Sequence, residues 1–222
     1  MRKIVVGAFV SLDGVMQAPG GPEEDALGGF AHGGWTVPYW DDALGEAMGE
    51  LFAAPFDLLL GRRTYDIFAG HWPRVTEGPD KDIADLFNAV AKHVATHRPG
   101  TLTWQNSQAI GPDIAAGVRR LKEGEGPTLL VQGSSELIQI LLAEDLVDEF
   151  RLLVFPLVLG RGKRLFGNGT LPGAFRLTGS SSSPGGVIVA NYRRAGAVTT
   201  GSFALDPPRD SEPDPQEGQA HA

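Results

Sequence analysis

From Lys3 to Val10 the chain reads KIVVGAFV, an unbroken apolar run of strand length. Such a run predicts a strand buried on both faces, as in a sheet covered by helices on each side. A long glycine-rich loop follows, from Asp13 to about Pro38. The period then changes: Leu44, Met48, Leu51 and Phe52 fall on one helical stripe, with Asp41 or Asp42 placed to cap it. DLLL (57–60) predicts a second strand and RRTYDIF (62–68) the start of a short helix. A helix around Ile83 to Val90 leads into KHVAT (92–96), a third strand, and TLTW (101–104) predicts a fourth. Gly111 to Lys122 reads as a helix with Ile114, Val118 and Leu121 inward. TLLVQ (128–132) is a fifth strand, SSELIQILLA (134–143) a helix and DEFRLLVF (148–155) a sixth strand.

The pattern closes differently. FRLTGSSSS (175–183) and GVIVANYRR (186–194) flank a Pro-Gly-Gly turn and predict an antiparallel hairpin. Alternating units that end in a hairpin imply an α/β fold with a mostly parallel sheet and an antiparallel edge. One domain, residues 1–194, accounts for these elements. Residues 195–222 form a tail rich in proline and acid, without apolar periodicity, and read as disordered from about Ala197.

Composition narrows the chemistry. The absence of cysteine excludes disulfides, zinc-thiolate sites and cysteine nucleophiles. No apolar run approaches the roughly 20 residues of a membrane span, and the first apolar stretch has no cleavage site after it, so a cytoplasmic location is expected. The net charge is −8; the tail holds five acids against Arg209, which leaves about half of that charge on the body. With no basic stripe to neutralise a phosphate backbone, nucleic acid is not an expected partner.

Two strand-to-helix junctions carry candidate chemistry. At Gly61 the backbone can turn tightly, and the amides of Arg62, Arg63 and Thr64 become the donors of a helix N-terminus, an end suited to phosphate. The two guanidinium groups and the threonine hydroxyl add further donors. In LLVQGSSEL, Gly133, Ser134 and Ser135 open a second such end. Thr64 and Ser134 as plain helix caps, with the arginines on a solvated face, is the competing reading. There is no GK[ST] and no GxGxxG, which argues against a P-loop enzyme or a standard Rossmann dehydrogenase.

The order of VSLDGVM, LLLGRRTYDIF, VQGSSEL and LVDEFRLLVFPLVLGRGKRLF resembles the dihydrofolate-reductase-like superfamily. The resemblance is to stand-alone relatives of the C-terminal reductase domain of bacterial riboflavin biosynthesis, and spans Lys3 to Arg194. It implies a three-layer fold and NADPH-dependent hydride transfer to a pteridine-like or pyrimidine-like small molecule. By the same analogy, Gly61, Arg62, Arg63 and Thr64 hold cofactor phosphates, and Thr96 and Arg98 meet the adenosine 2′-phosphate. Gly133, Ser134, Ser135, Glu136 and Leu137 cradle the pyrophosphate; Phe9, Val10 and Met16 lie near the nicotinamide. Trp35 either closes over the substrate or packs the loop. Such relatives are often homodimers.

The resemblance also implies an acid on the first helix. The family's spacing lands near Gly45, which makes Glu46 the catalytic candidate, with Glu50 one turn on, and neither is cleanly in register. Asp13 is the other candidate acid, either contacting substrate or holding the turn with Gly14. Asp148 and Glu149 match a family motif but open a strand and read as structural. The five histidines show no metal spacing, so no metal is expected. A non-catalytic nucleotide-binding protein that keeps the pocket is the alternative function. A flavin-binding sensor suits the paired arginines less well than a dinucleotide does.

Overall fold

The computed structural model describes residues 1–203. Eight strands form one sheet in the order β4-β3-β2-β5-β1-β6-β8-β7. β1 (Ile4–Ser11) lies between β5 (Thr128–Gln132) and β6 (Glu149–Phe155), parallel to both. That central place explains the unbroken apolar run. Ile4, Val6, Ala8 and Val10 join a core with α4 (Ile114–Glu123) and α5 (Ser135–Ala143), while Val5 faces the opposite layer. That layer holds α1 (Asp42–Phe52), α2 (Arg62–His71) and α3 (Lys81–Ala89). β2 (Phe56–Gly61) pairs in parallel with β5 and with β3 (Lys92–Ala95).

β7 (Ala174–Ser182) and β8 (Ile188–Gly196) form the expected hairpin, β8 running antiparallel to β6. Its turn reaches α1, since Asp41 caps the helix by accepting from the Leu44 amide at 3.0 Å and also accepts from Gly185 N at 3.3 Å. β8 continues through Gly196, and the expectation of a disordered tail falls, from residue 204 onward, outside the described residues.

The fourth strand is not TLTW. β4 is Ser107–Ala109, parallel to β3, and residues 99–101 form a 3-10 turn. The reason lies at Trp104, whose backbone amide donates to Tyr65 Oη at 2.8 Å and whose indole donates to Asn88 Oδ1 at 2.7 Å. With its donors committed to helix side chains and its ring buried among Tyr65 and Phe87, Trp104 fills the core instead of pairing in the sheet. The helix expected from Gly111 starts at Ile114, because Asp113 caps it through the Ala116 amide at 2.9 Å.

Candidate active site

Both glycine junctions stand at the carboxyl ends of neighbouring strands, the position where open α/β sheets bind ligands. β2 and β5 pair in register from Phe56↔Thr128 to Leu58↔Leu130. Beyond that, side chains make the connection. Gly61 N donates to Ser134 Oγ at 2.9 Å, and Ser134 N donates to Thr64 Oγ1 at 2.9 Å. The Ser134 hydroxyl donates in turn to Gln132 O at 3.1 Å. Gly133 and Ser134 both take left-handed backbone, with φ of +55° and +61°, which swings the chain into α5. For serine that conformation costs on the order of 1 kcal/mol, offset by the two bonds it makes possible.

Thr64 and Ser134 are therefore not ordinary caps. Their hydroxyls lock the two junctions together, and neither Gly61 nor Ser134 caps its own helix through a side chain. The first turns of α2 (Arg62, Arg63, Thr64) and α5 (Ser135, Glu136, Leu137) therefore start side by side, without capping side chains at their N-cap positions. Their aligned dipoles favour an anion there.

Arg62 lies along the flank of α2. Its Nε sits 2.9 Å from both carboxylate oxygens of Asp66, and its Nη1 donates to Thr101 Oγ1 at 2.5 Å, with Thr96 Oγ1 at 3.5 Å. Thr96 is buried and accepts from the Arg98 amide at 3.0 Å. The structure thus gathers Arg62, Thr96 and Arg98, but Arg62 is spent on pinning the turn. The exposed Arg98 guanidinium has no partner among the described residues and remains available for an anion.

Arg63 has another engagement. Its Nη1 is 2.7 Å from Asp25 Oδ1, while Lys163 Nζ is 2.9 Å from Asp25 Oδ2. The Leu27 amide adds a bond at 3.1 Å, and Glu136, on the first turn of α5, lies 3.8 Å from Lys163. Burial opposes ionisation of Asp25, but Lys163, the Leu27 amide and Arg63 outweigh it and hold the carboxyl below its ordinary range. Sequence reasoning missed Asp25 and Lys163; only the fold brings residues so far apart together.

At the end of β1, Phe9 is half-buried, edge-on to Trp40 and to Phe155, each at 5.9 Å. Val10, Met16 and Leu137 belong to the core, so a ligand would meet their backbone and not their side chains. Trp35 is buried, donates from its indole to Gln17 O at 2.8 Å and packs edge-on against Phe155 at 5.2 Å. Of the two readings of Trp35, these contacts match the packing one. Trp40, about half exposed beside Phe9, is the aromatic ring open to a ligand here. Gln132 is a further residue the sequence did not flag. Its buried amide nitrogen has no hydrogen-bond partner among the described residues, and it lies over Gly7, where a Cβ would approach it to 2.7 Å.

The two candidate acids lie in different surroundings. The Asp13 carboxylate accepts from Ser11 Oγ at 2.6 Å, Leu159 N at 3.1 Å and Gly160 N at 2.9 Å, with Arg164 Nη2 at 3.4 Å. The Ser11 hydroxyl leads in lowering its pKa to about 2, so Asp13 clamps the turn to the segment after β6 as a fixed anion. Glu46 sits two residues from both Leu44 and Met48, the buried stripe of α1, and so lies on the opposite side of the helix. It is exposed, as is Glu50.

The model of the RibD C-terminal domain family matches residues 2–189. Two Bacillus subtilis (strain 168) proteins without assigned function are similar. YyaP is 28% identical over 169 residues, 74% of this chain and 80% of its own length; YwjB is 28% identical over 197 residues, 87% and 99%. Among solved structures, a putative riboflavin biosynthesis protein from Shewanella sp. PV-4 superposes with a TM-score of 0.54 at 20% identity, covering 87% of this chain and 99% of that one. A bifunctional diaminohydroxyphosphoribosylaminopyrimidine deaminase and 5-amino-6-(5-phosphoribosylamino)uracil reductase from Thermotoga maritima gives 0.56 at 14%, over 87% of this chain and 57% of that one. At these identities the two structures share a fold with it. Since the family match runs across most of the described sheet and helices, this chain belongs to the RibD C-terminal domain family.

Proposed function

We propose that this protein is an NADPH-dependent reductase acting on a pteridine-like or pyrimidine-like small molecule. The observation that carries the reading is the Gly61–Ser134–Thr64 lock, which sets two helix N-termini side by side at the mouth of the sheet. A dinucleotide has a matching diphosphate. The residues fit the group in other respects: among the described residues, Arg98 offers a cation without a partner beside Thr96, and Gln132 an unpaired donor over Gly7. When bound, the cofactor supplies the hydride. The chain's part is to hold the diphosphate on the α2 and α5 amides and to present Phe9 and Trp40 as an apolar wall that keeps water from the reacting face. A second copy of this chain is the protein partner proposed, with Leu177 and Ile188 on the terminal hairpin each about half exposed.

A specific observation favours a second reading, a nucleotide-binding protein without catalysis: Glu46 and Glu50 are both exposed and lack the buried surroundings that tune a carboxyl into a proton donor. Titration of cofactor fluorescence with NADPH and NADH, followed by a screen of pterins and aminopyrimidines for loss of reduced-nicotinamide absorbance, separates the two. Preferred binding of NADPH with turnover supports the reductase. Saturation without oxidation supports the binder, and no binding at millimolar concentration overturns both.

A further inference from the structure

We infer that Arg63 and Lys163 form a phosphate site whose resting occupant is the carboxylate of Asp25, so that a diphosphate-bearing ligand must displace the glycine-rich loop to bind. This rests on the dinucleotide reading above and names a residue, Lys163, and a conformational step that the reading does not contain.

Asp25 places one oxygen 2.7 Å from Arg63 Nη1 and the other 2.9 Å from Lys163 Nζ, and takes a third bond from the Leu27 amide. A guanidinium, an ammonium and a backbone amide around one anion is the donor set a phosphate group uses. Burial is uneven across the trio. The Asp25 side chain is 9% exposed, whereas those of Arg63 and Lys163 are 47% and 24% exposed. The cations are reachable from solvent while their present partner is internal. Arg63 opens α2, and Lys163 approaches Glu136 on the first turn of α5, so the trio spans both sides of the crevice.

The loop is fastened at the same place by neutral bonds. Gln17 donates to the carbonyls of Asp25 at 3.0 Å and Leu27 at 2.9 Å, and accepts from Lys163 N at 2.9 Å. The two carbonyl bonds hold the backbone of the residues a ligand must displace, so they open together with the Asp25 contacts when the loop moves. A diphosphate carries more charge than one carboxylate and offers more oxygens to the forked guanidinium, which favours the exchange. While Asp25 holds the cations, only a fraction of the protein is competent to bind, and the apparent affinity falls by that fraction.

Inorganic pyrophosphate and NADPH are titrated calorimetrically into wild type, Asp25→Asn and Lys163→Ala, with hydrogen exchange followed in residues 20–30. Asp25→Asn is expected to bind pyrophosphate about tenfold or more tightly, and Lys163→Ala more weakly than wild type. In the wild type, saturating pyrophosphate is expected to raise exchange in 20–30, a readout that does not depend on how well the variants fold. Pyrophosphate bound by wild type with no rise in exchange there, or bound equally by wild type and Asp25→Asn, overturns the inference. So does pyrophosphate binding to none of the three. If NADPH still binds in those cases, the cofactor reading survives alone; if Asp25→Asn gains pyrophosphate but NADPH binds nowhere, the inference survives without it.

Discussion

Ser134 and Thr64, seventy positions apart, share a 2.9 Å hydrogen bond in which the backbone amide of the first donates to the hydroxyl of the second. Both residues are buried, and the Ser134 hydroxyl accepts from Gly61 on the same strand end that precedes Thr64. The bond does for the β2–β5 mouth what sheet pairing does lower down.

Thr64→Val keeps the shape of the side chain and strands the Ser134 amide without an acceptor. A buried donor left unsatisfied costs about 1–3 kcal/mol, so urea unfolding should show a loss of that order. Thr64→Ser should restore most of it. A loss below about 0.5 kcal/mol would mean the two junctions hold together without this bond.

Gln132→Leu should move stability and binding in opposite directions. The replacement removes a buried amide nitrogen that has no hydrogen-bond partner among the described residues, which favours the folded state by roughly 1 kcal/mol. It also removes the donor over Gly7, and so should weaken ligand binding. Thermal unfolding and cofactor titration on the same variant check the pair; a fall in both would show that the amide is structural.

Arg98 and Arg62 should separate cofactor selectivity from turn stability. Arg98→Ala removes a cation with no partner among the described residues and is expected to weaken NADPH by about tenfold while leaving NADH unchanged. Arg62→Ala frees the turn that it pins through Thr101 and Thr96, and should weaken both cofactors together. The four dissociation constants decide the matter.

Asp13 should reveal itself in acid. Its folded-state pKa is depressed to about 2 against an ordinary 3.8, led by the Ser11 hydroxyl. The folded protein therefore binds fewer protons, and the stabilisation is present above pH 3.8 and lost as the pH falls toward 2. Asp13→Asn should lower stability at neutral pH and flatten that acid limb, as read by unfolding midpoints across pH. No activity profile should show a titration belonging to Asp13 above pH 4, because it is already an anion there.

Lys92 makes the opposite pH signature. It is fully buried, over the Trp104 ring at 4.2 Å and bonded to the carbonyls of Asn88 and Gln105, and burial pushes its pKa down to about 8. Between about 8 and 10.5 the unfolded chain binds a proton that the folded one does not, so this group makes stability rise with pH across that window. Lys92→Met should remove the rise.

Much of this architecture is written locally. The run Lys3 to Val10, the stripe of Leu44 and Met48 and the QGSS and GRRT junctions each declare their element, because burial on both faces, helical period and glycine backbone are properties of a few adjacent residues. TLTW misled for the converse reason. Its strand-like composition is overridden by Tyr65 and Asn88, which take the donors of Trp104 from another part of the chain.

The sequence by itself determined the α/β order, the antiparallel ending and the two glycine junctions, since those follow from periodicity and turn chemistry. Which side chains act at the junctions was decided only by the tertiary structure. It turned the hydroxyls of Thr64 and Ser134 toward each other, set Asp25 between Arg63 and Lys163, laid Gln132 over Gly7 and pointed Glu46 to solvent. Each of those depends on a contact between segments tens of residues apart, or on the rotation of a helix about its axis against the sheet, and neither is encoded in local spacing.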